Sequence, residues 1–163
     1  MKNTLDKSAV GGFYRLNIVQ HSKNGEQKIV GDSGWVKNQI TDLGAQHYLV
    51  ENLGSAAGSS SVSYAALGTG TAPGAAATSL PGELTDAANC RFTFTTSVVA
   101  SRTLQCVGTL ASNIVTAART IQNIGLFAVS TTGAGSIFAG NTFATSSLAT
   151  DQSVNCTYQI QFP

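Results

Sequence analysis

The sequence predicts an all-β protein with one helix, folded as an antiparallel, jelly-roll-like β-sandwich. Apolar residues recur with period two over most of the chain, and turn signals rich in Gly, Ser and Asn separate the runs. Only one stretch, residues 41–53, combines helical spacing with cap residues. The 163 residues suffice for one domain with a real core. That domain is expected over residues 13–163, with residues 1–12 as an N-terminal arm.

The elements follow in order. Tyr14, Leu16 and Ile18 alternate with Arg15, Asn17 and Val19, which predicts a strand with the first set inward. Asn24-Gly25 then predicts a hairpin turn into residues 27–30, because both residues tolerate positive φ. Gly31-Asp32-Ser33-Gly34 reads as a turn before a strand at Trp35-Val36-Lys37. Thr41 is a plausible N-cap with Asp42 in the first turn, and Gly54 stands where a C-terminal glycine belongs. Leu43, His47, Val50 and Leu53 share one face of this helix, expected to lie against a sheet.

Residues 54–79 are rich in Ala, Gly and Ser, with a short strand expected at 62–67 and a loop at 68–74. Phe92 and Phe94 alternate with Thr93 and Thr95. Leu104, Cys106, Gly108 and Leu110 do the same, and the short link at Ala100-Ser101 makes the two runs a hairpin. A strand at 121–129, a turn at Thr132-Gly133-Ala134-Gly135 and a strand at 137–143 follow. The final run is the cleanest, with Val154, Cys156, Tyr158, Ile160 and Phe162 on one face.

Charged residues are 10% of the chain, against about 25% in ordinary soluble domains. A surface so poor in charge does little to keep copies apart, which suits a life inside an assembly better than a monomeric enzyme. The formal net charge of +1, with Arg15, Arg91, Arg102 and Arg119 scattered, argues against a nucleic-acid partner. No apolar run is long enough to span a bilayer, so no membrane partner is expected. The segment from Met1 to Lys7 has no apolar core behind its lysine, which predicts synthesis and retention in a cytosol. Cys90, Cys106 and Cys156 cannot all pair within one chain, and their spacing fits no zinc pattern. Buried free thiols are expected, with Cys106 and Cys156 inward. The alternative is one disulfide formed after release into an oxidising medium.

Gly31-Asp32-Ser33-Gly34 copies the surroundings of the nucleophile in chymotrypsin-like proteases. That chemistry also needs a distant His base, whereas His21 is close upstream and Trp35 stands where the family has Gly. Gly68-Thr69-Gly70-Thr71 and Gly133-Ala134-Gly135 resemble phosphate loops but lack the Lys-Ser/Thr and the helix such loops need. His47 reads as a core residue and His21 as an exposed strand end. Glu83 and Asp86 read as solvated loop carboxylates, and Asn155-Cys156-Thr157 as a glycosylation acceptor irrelevant in a cytosol. The sequence therefore predicts no catalytic, metal or cofactor site and no enzyme activity.

One ordered set of segments is more specific. Trp35-Val36-Lys37-Asn38-Gln39-Ile40-Thr41 leads into the helix. Tyr64-Ala65-Ala66-Leu67-Gly68-Thr69-Gly70-Thr71-Ala72-Pro73, Leu80-Pro81-Gly82-Glu83-Leu84, Arg91 and Ile124-Gly125-Leu126-Phe127 follow. Over residues 35–162 this order resembles the small virion proteins of tailed bacteriophages, of the capsid decoration (cement), tail-fibre or tail-collar type. The polar stretch 85–90 before Arg91 departs from the pattern. The resemblance implies a structural protein of the virion, made in the host cytoplasm, most simply a homotrimer that caps and stiffens the assembled head by binding the major capsid protein. A tail-fibre or baseplate attachment protein is the alternative, followed by a receptor- or carbohydrate-binding module.

Overall fold

The computed structural model describes residues 10–50, 52, 60–87 and 90–162. Among them nine strands follow in order: β1 (Gly11–His21), β2 (Gln27–Asp32), β3 (Val36–Ile40), β4 (Tyr64–Gly68), β5 (Phe92–Ala100), β6 (Thr103–Leu110), β7 (Arg119–Phe127), β8 (Ala139–Leu148) and β9 (Gln152–Gln161). Helix α1 (Asp42–Gly44) continues as a wider π-helical turn, Ala45–Val50. Strand β1 starts at Gly11, inside the segment expected as an arm; residues 1–9 lie outside the described residues.

The pairings are all antiparallel and run in a circuit, β1-β3-β8-β7-β4-β5-β6-β9 and back to β1. The predicted all-β, antiparallel class is therefore present, but the two separate sheets of a sandwich are corrected to one closed barrel. Two strands close it by changing partner midway. Val36, Lys37 and Asn38 of β3 pair with β1, while Gln39 and Ile40 pair with β8. Phe92 and Thr93 of β5 pair with β4, while the ladder from Phe94 onward belongs to β6. Closure removes most of the sheet edges that would otherwise invite stray pairing.

The period-two runs bury most of the residues they predict, although Leu104 and Gly108 are only half-buried. Tyr14, Leu16 and Ile18 of β1, Cys106 and Leu110 of β6, and Val154, Cys156, Tyr158 and Ile160 of β9 all point into the core. They meet Ile121, Ile124 and Leu126 of β7. Each fully buried aliphatic side chain contributes on the order of 1.5–3 kcal/mol. Three local expectations need correction. Val19, placed on the outward side, is buried. It lies at the Ile18/Val19 step of the β1–β2 ladder, where β2 bulges with Val30 as an extra residue, while β1 itself keeps an unbroken register with β9. In the Asn24-Gly25 turn only Gly25 takes positive φ, at 86°; Asn24 instead accepts the Glu26 N–H on Oδ1. Phe162 lies past the end of β9 and is exposed.

The helix begins as predicted. Thr41 Oγ1 accepts the Gly44 N–H at 2.9 Å and donates to the Ile137 carbonyl at 2.6 Å, so the cap also fastens the helix to the barrel. The inward face is displaced by one residue from the expected one. Gly44 and Tyr48 are buried, whereas Leu43 and His47 are only half-buried; Leu53 and Gly54 lie outside the described residues. A glycine at 44 lets the first turn close on the Phe138 carbonyl, and that contact sets the rotation of the helix.

Candidate assembly surface

Charge is distributed very unevenly over the barrel. Strands β4, β5, β6, β8 and β9 contain no charged residue, and β7 contains only Arg119. The outer side of β9, β6 and β5 is built from uncharged rows, Gln159–Gln105–Ser97 and Thr157–Val107–Thr95, with Val107 exposed among the polar residues. Gln159 donates to Gln105 at 3.1 Å, and Thr109 donates to Asn155 at 2.9 Å. At the β5–β6 turn Val98 is 76% exposed, with Val99 and Phe162 also exposed. Beyond Thr93, β5 has no second strand partner among the described residues. Beside this edge lies a groove of about 360 Å³ lined by Tyr48, Leu49, Phe94, Leu104, Ile160 and Phe162. Arg102, exposed in the β5–β6 turn, is the one charge in that turn, and an open apolar edge of this kind favours protein contact.

The described arginines are mostly spoken for by carboxylates. Arg91, fully buried, donates from Nε and Nη2 to Glu83 at 2.6 and 3.0 Å, and from Nη1 to the carbonyls of Val129 and Ala134 at 3.0 and 2.7 Å. Its guanidinium also stacks 3.6 Å from the centre of the Phe127 ring. Arg119 binds Asp86, and Arg15 binds Asp32. Glu83 and Asp86 are therefore not solvated loop carboxylates: each is buried against its own arginine. The Arg119 hydrogen bonds hold the Asp86 carboxyl below its ordinary range. Arg15, with the Gly34 N–H, draws Asp32 down to about 2. Leu84 N donates to Leu67 O, so the segment carrying Glu83 also covers the free side of β4.

The protease-like motif is built into the sheet. Both β2 and β3 run along the same edge of β1, so Gly31-Asp32-Ser33-Gly34 is a kink in one line of chain and not a reversal. Ser33 N donates to Leu16 O at 3.0 Å. In return, the Ser33 hydroxyl accepts the Leu16 N–H at 2.9 Å and donates to Gly34 O. Ser33→Ala is expected to cost about 1 kcal/mol in urea unfolding, the usual worth of such a bond, and to leave assembly intact. His21 does not meet Ser33; its Nε2 lies 2.8 Å from Ser153 Oγ. Ser153 is buried in β9, and among the described residues no carboxylate hydrogen-bonds that ring.

The remaining motifs are absorbed by the fold. Thr69 N donates to Gly82 O, Gln122 donates to Thr69 O, and Asn123 donates to Thr71 O and Pro81 O, so the 68–71 loop spends its backbone internally. Gly133 and Gly135 take φ of 75° and 71°, as turn glycines do. The His47 carbonyl accepts the Ser60 N–H. Among the described residues no three His, Cys, Asp or Glu come together as a metal site. No helix among them is long and apolar enough to cross a membrane.

All three cysteines are free and buried. Burial pushes the Cys106 thiol up to about 11, and burial together with Cys106 raises Cys156 further. At neutral pH Cys106 should then hold about a hundredfold less thiolate than an exposed cysteine. Both thiols are expected to resist a thiol reagent until denaturant is added; rapid labelling of the folded protein would show that the strand phase is wrong. Sequence reasoning missed the open β5 edge and the Glu83–Arg91 pair. The absence of charge from 92 to 100 could have flagged the first. No protein-family model, curated protein or solved structure matches the chain.

Proposed function

We propose that this protein is a structural component of a tailed-phage virion, a decoration protein that binds the assembled head. The observation that carries the reading is the charge-free run of strands around an open apolar edge, the reverse of what a freely diffusing protein needs. The ordered segments at residues 35–162 support the same reading. Their Leu67–Pro73 and Glu83–Arg91 parts form a cross-linked scaffold here and leave the β5–β6 end bare. The barrel also keeps a jelly-roll-like feature. Setting β2 aside, first pairs with last, second with seventh, third with sixth and fourth with fifth.

Three copies closing about an axis fit the local three-fold positions of an icosahedral shell, and linked weak contacts give high occupancy. Binding the assembled shell alone would stabilise that state by mass action. Native mass spectrometry should find a trimer, and the purified protein should co-sediment with empty heads and raise their heat resistance. Val98→Asp should weaken both effects without unfolding the barrel, because Val98 is exposed. A monomer that ignores heads but labels the tail would replace this reading with that of a tail-fibre or baseplate protein.

A further inference from the structure

We propose that Asn24 is a site of spontaneous covalent modification, in which its own following residue is the nucleophile. The Gly25 main-chain nitrogen attacks Asn24 Cγ. A Gly25 N–Cγ bond forms, the Cγ–Nδ2 bond breaks, and the Gly25 proton leaves with the side-chain nitrogen as ammonia. The product is a five-membered succinimide. Water then opens either of its two carbonyls, giving aspartate or isoaspartate at position 24. The sum is amide plus water to carboxylate plus ammonium, and no oxidant or cofactor enters.

The site is selected by sequence and by geometry. Asn24 is the only asparagine in the chain followed by glycine; elsewhere Thr, Ile, Gln, Leu or Cys follows, and a side chain there obstructs the attack. At Gly25 nothing lies within 4 Å of the place a Cβ would occupy. Residues 22–30 are all exposed, so water and base reach the turn. Two bonds oppose the attack, Gly25 N to Ser22 O at 3.0 Å and Glu26 N to Asn24 Oδ1 at 3.3 Å. Both lie within the exposed turn, and turns of this kind open without global unfolding. Asn123 is the opposite case: it is fully buried, and its amide nitrogen is held by two carbonyls.

The change takes the formal net charge from +1 to 0. The iso form also adds a methylene to the backbone of the turn that sets the β1–β2 register.

The full-length folded protein should be incubated in mildly alkaline heavy-oxygen water and mapped by peptide mass spectrometry. The expected result is a more acidic species with the amide-to-acid mass gain and one heavy oxygen at residue 24, mostly as isoaspartate. Asn24→Ser should abolish it, and Asn113, which precedes Ile114, should stay unchanged. Asn24 remaining an amide in the folded protein, while the urea-unfolded chain converts it in the same interval, would overturn the proposal. So would equal conversion at Asn113, because local geometry would then select nothing.

Discussion

Replacing Arg91 by methionine should destabilise the barrel by about 3–5 kcal/mol, the usual consequence of leaving a buried charge without its partner. Glu83 would lose both donors of the fork, and the carbonyls of Val129 and Ala134 would lose theirs. Methionine fills a similar volume over the Phe127 ring, so the loss reports on the charge pair and not on a cavity. Lysine at 91 keeps the charge but not the fork, and should recover only part of the stability. The double variant Arg91→Met, Glu83→Leu should be more stable than Arg91→Met alone, because both charges are then gone. Chemical denaturation of the four proteins measures the series. A single Arg91→Met effect below that of Ser33→Ala would show that the pair is not buried in solution.

The strands were legible because one face of each is buried. In β9 the apolar residues at 154, 156, 158 and 160 can satisfy only a period-two fold, and all four are buried. The helix cap at Thr41 was legible for an equally local reason, since an N-cap depends on three residues of chain. Barrel closure was not legible. It depends on β3 and β5 changing partners midway, at Asn38/Gln39 and Thr93/Phe94, and nothing in either stretch breaks the alternation. The second half of β8 was missed because Ala144, Thr145, Ser146 and Ser147 carry no apolar rhythm; the ladder to β7 pairs Ser146 and Ser147, and Thr145 bonds to the Gln122 side chain where that ladder shifts register.

Of the candidate surface, scarcity of charge was evident in the composition, but its position was not. Val98 and Val99 read as core residues by type, and only the fold shows that they project past the last pairing with β4. Glu83 and Arg91 lie eight positions apart in a loop, too far for any local rule to join them.

Gly44→Ala should cost about 3 kcal/mol, at the upper end for a small residue enlarged in a packed site. A Cβ at this position would lie 1.9 Å from the Phe138 carbonyl oxygen, 2.7 Å from its carbon and 2.8 Å from Thr41 Oγ1. Two of these atoms are main chain, so no side-chain rotation relieves the contact and the helix must lift from the barrel. Lifting it strains the bonds that fasten that end, Thr41 N to Phe138 O at 2.9 Å and Thr41 Oγ1 to Ile137 O. It also withdraws Tyr48 from the Phe138 ring, 5.0 Å away, and from the Ser136 carbonyl. Alanine favours the helix by about 1 kcal/mol over glycine, so a destabilised Gly44→Ala protein would isolate the steric term from propensity. Ala45→Gly, on the half-buried next position, is the matched control and should cost only that propensity difference. Urea unfolding reads both variants. Equal stability of Gly44→Ala and the parent would mean that the helix does not rest on the Phe138 carbonyl in solution.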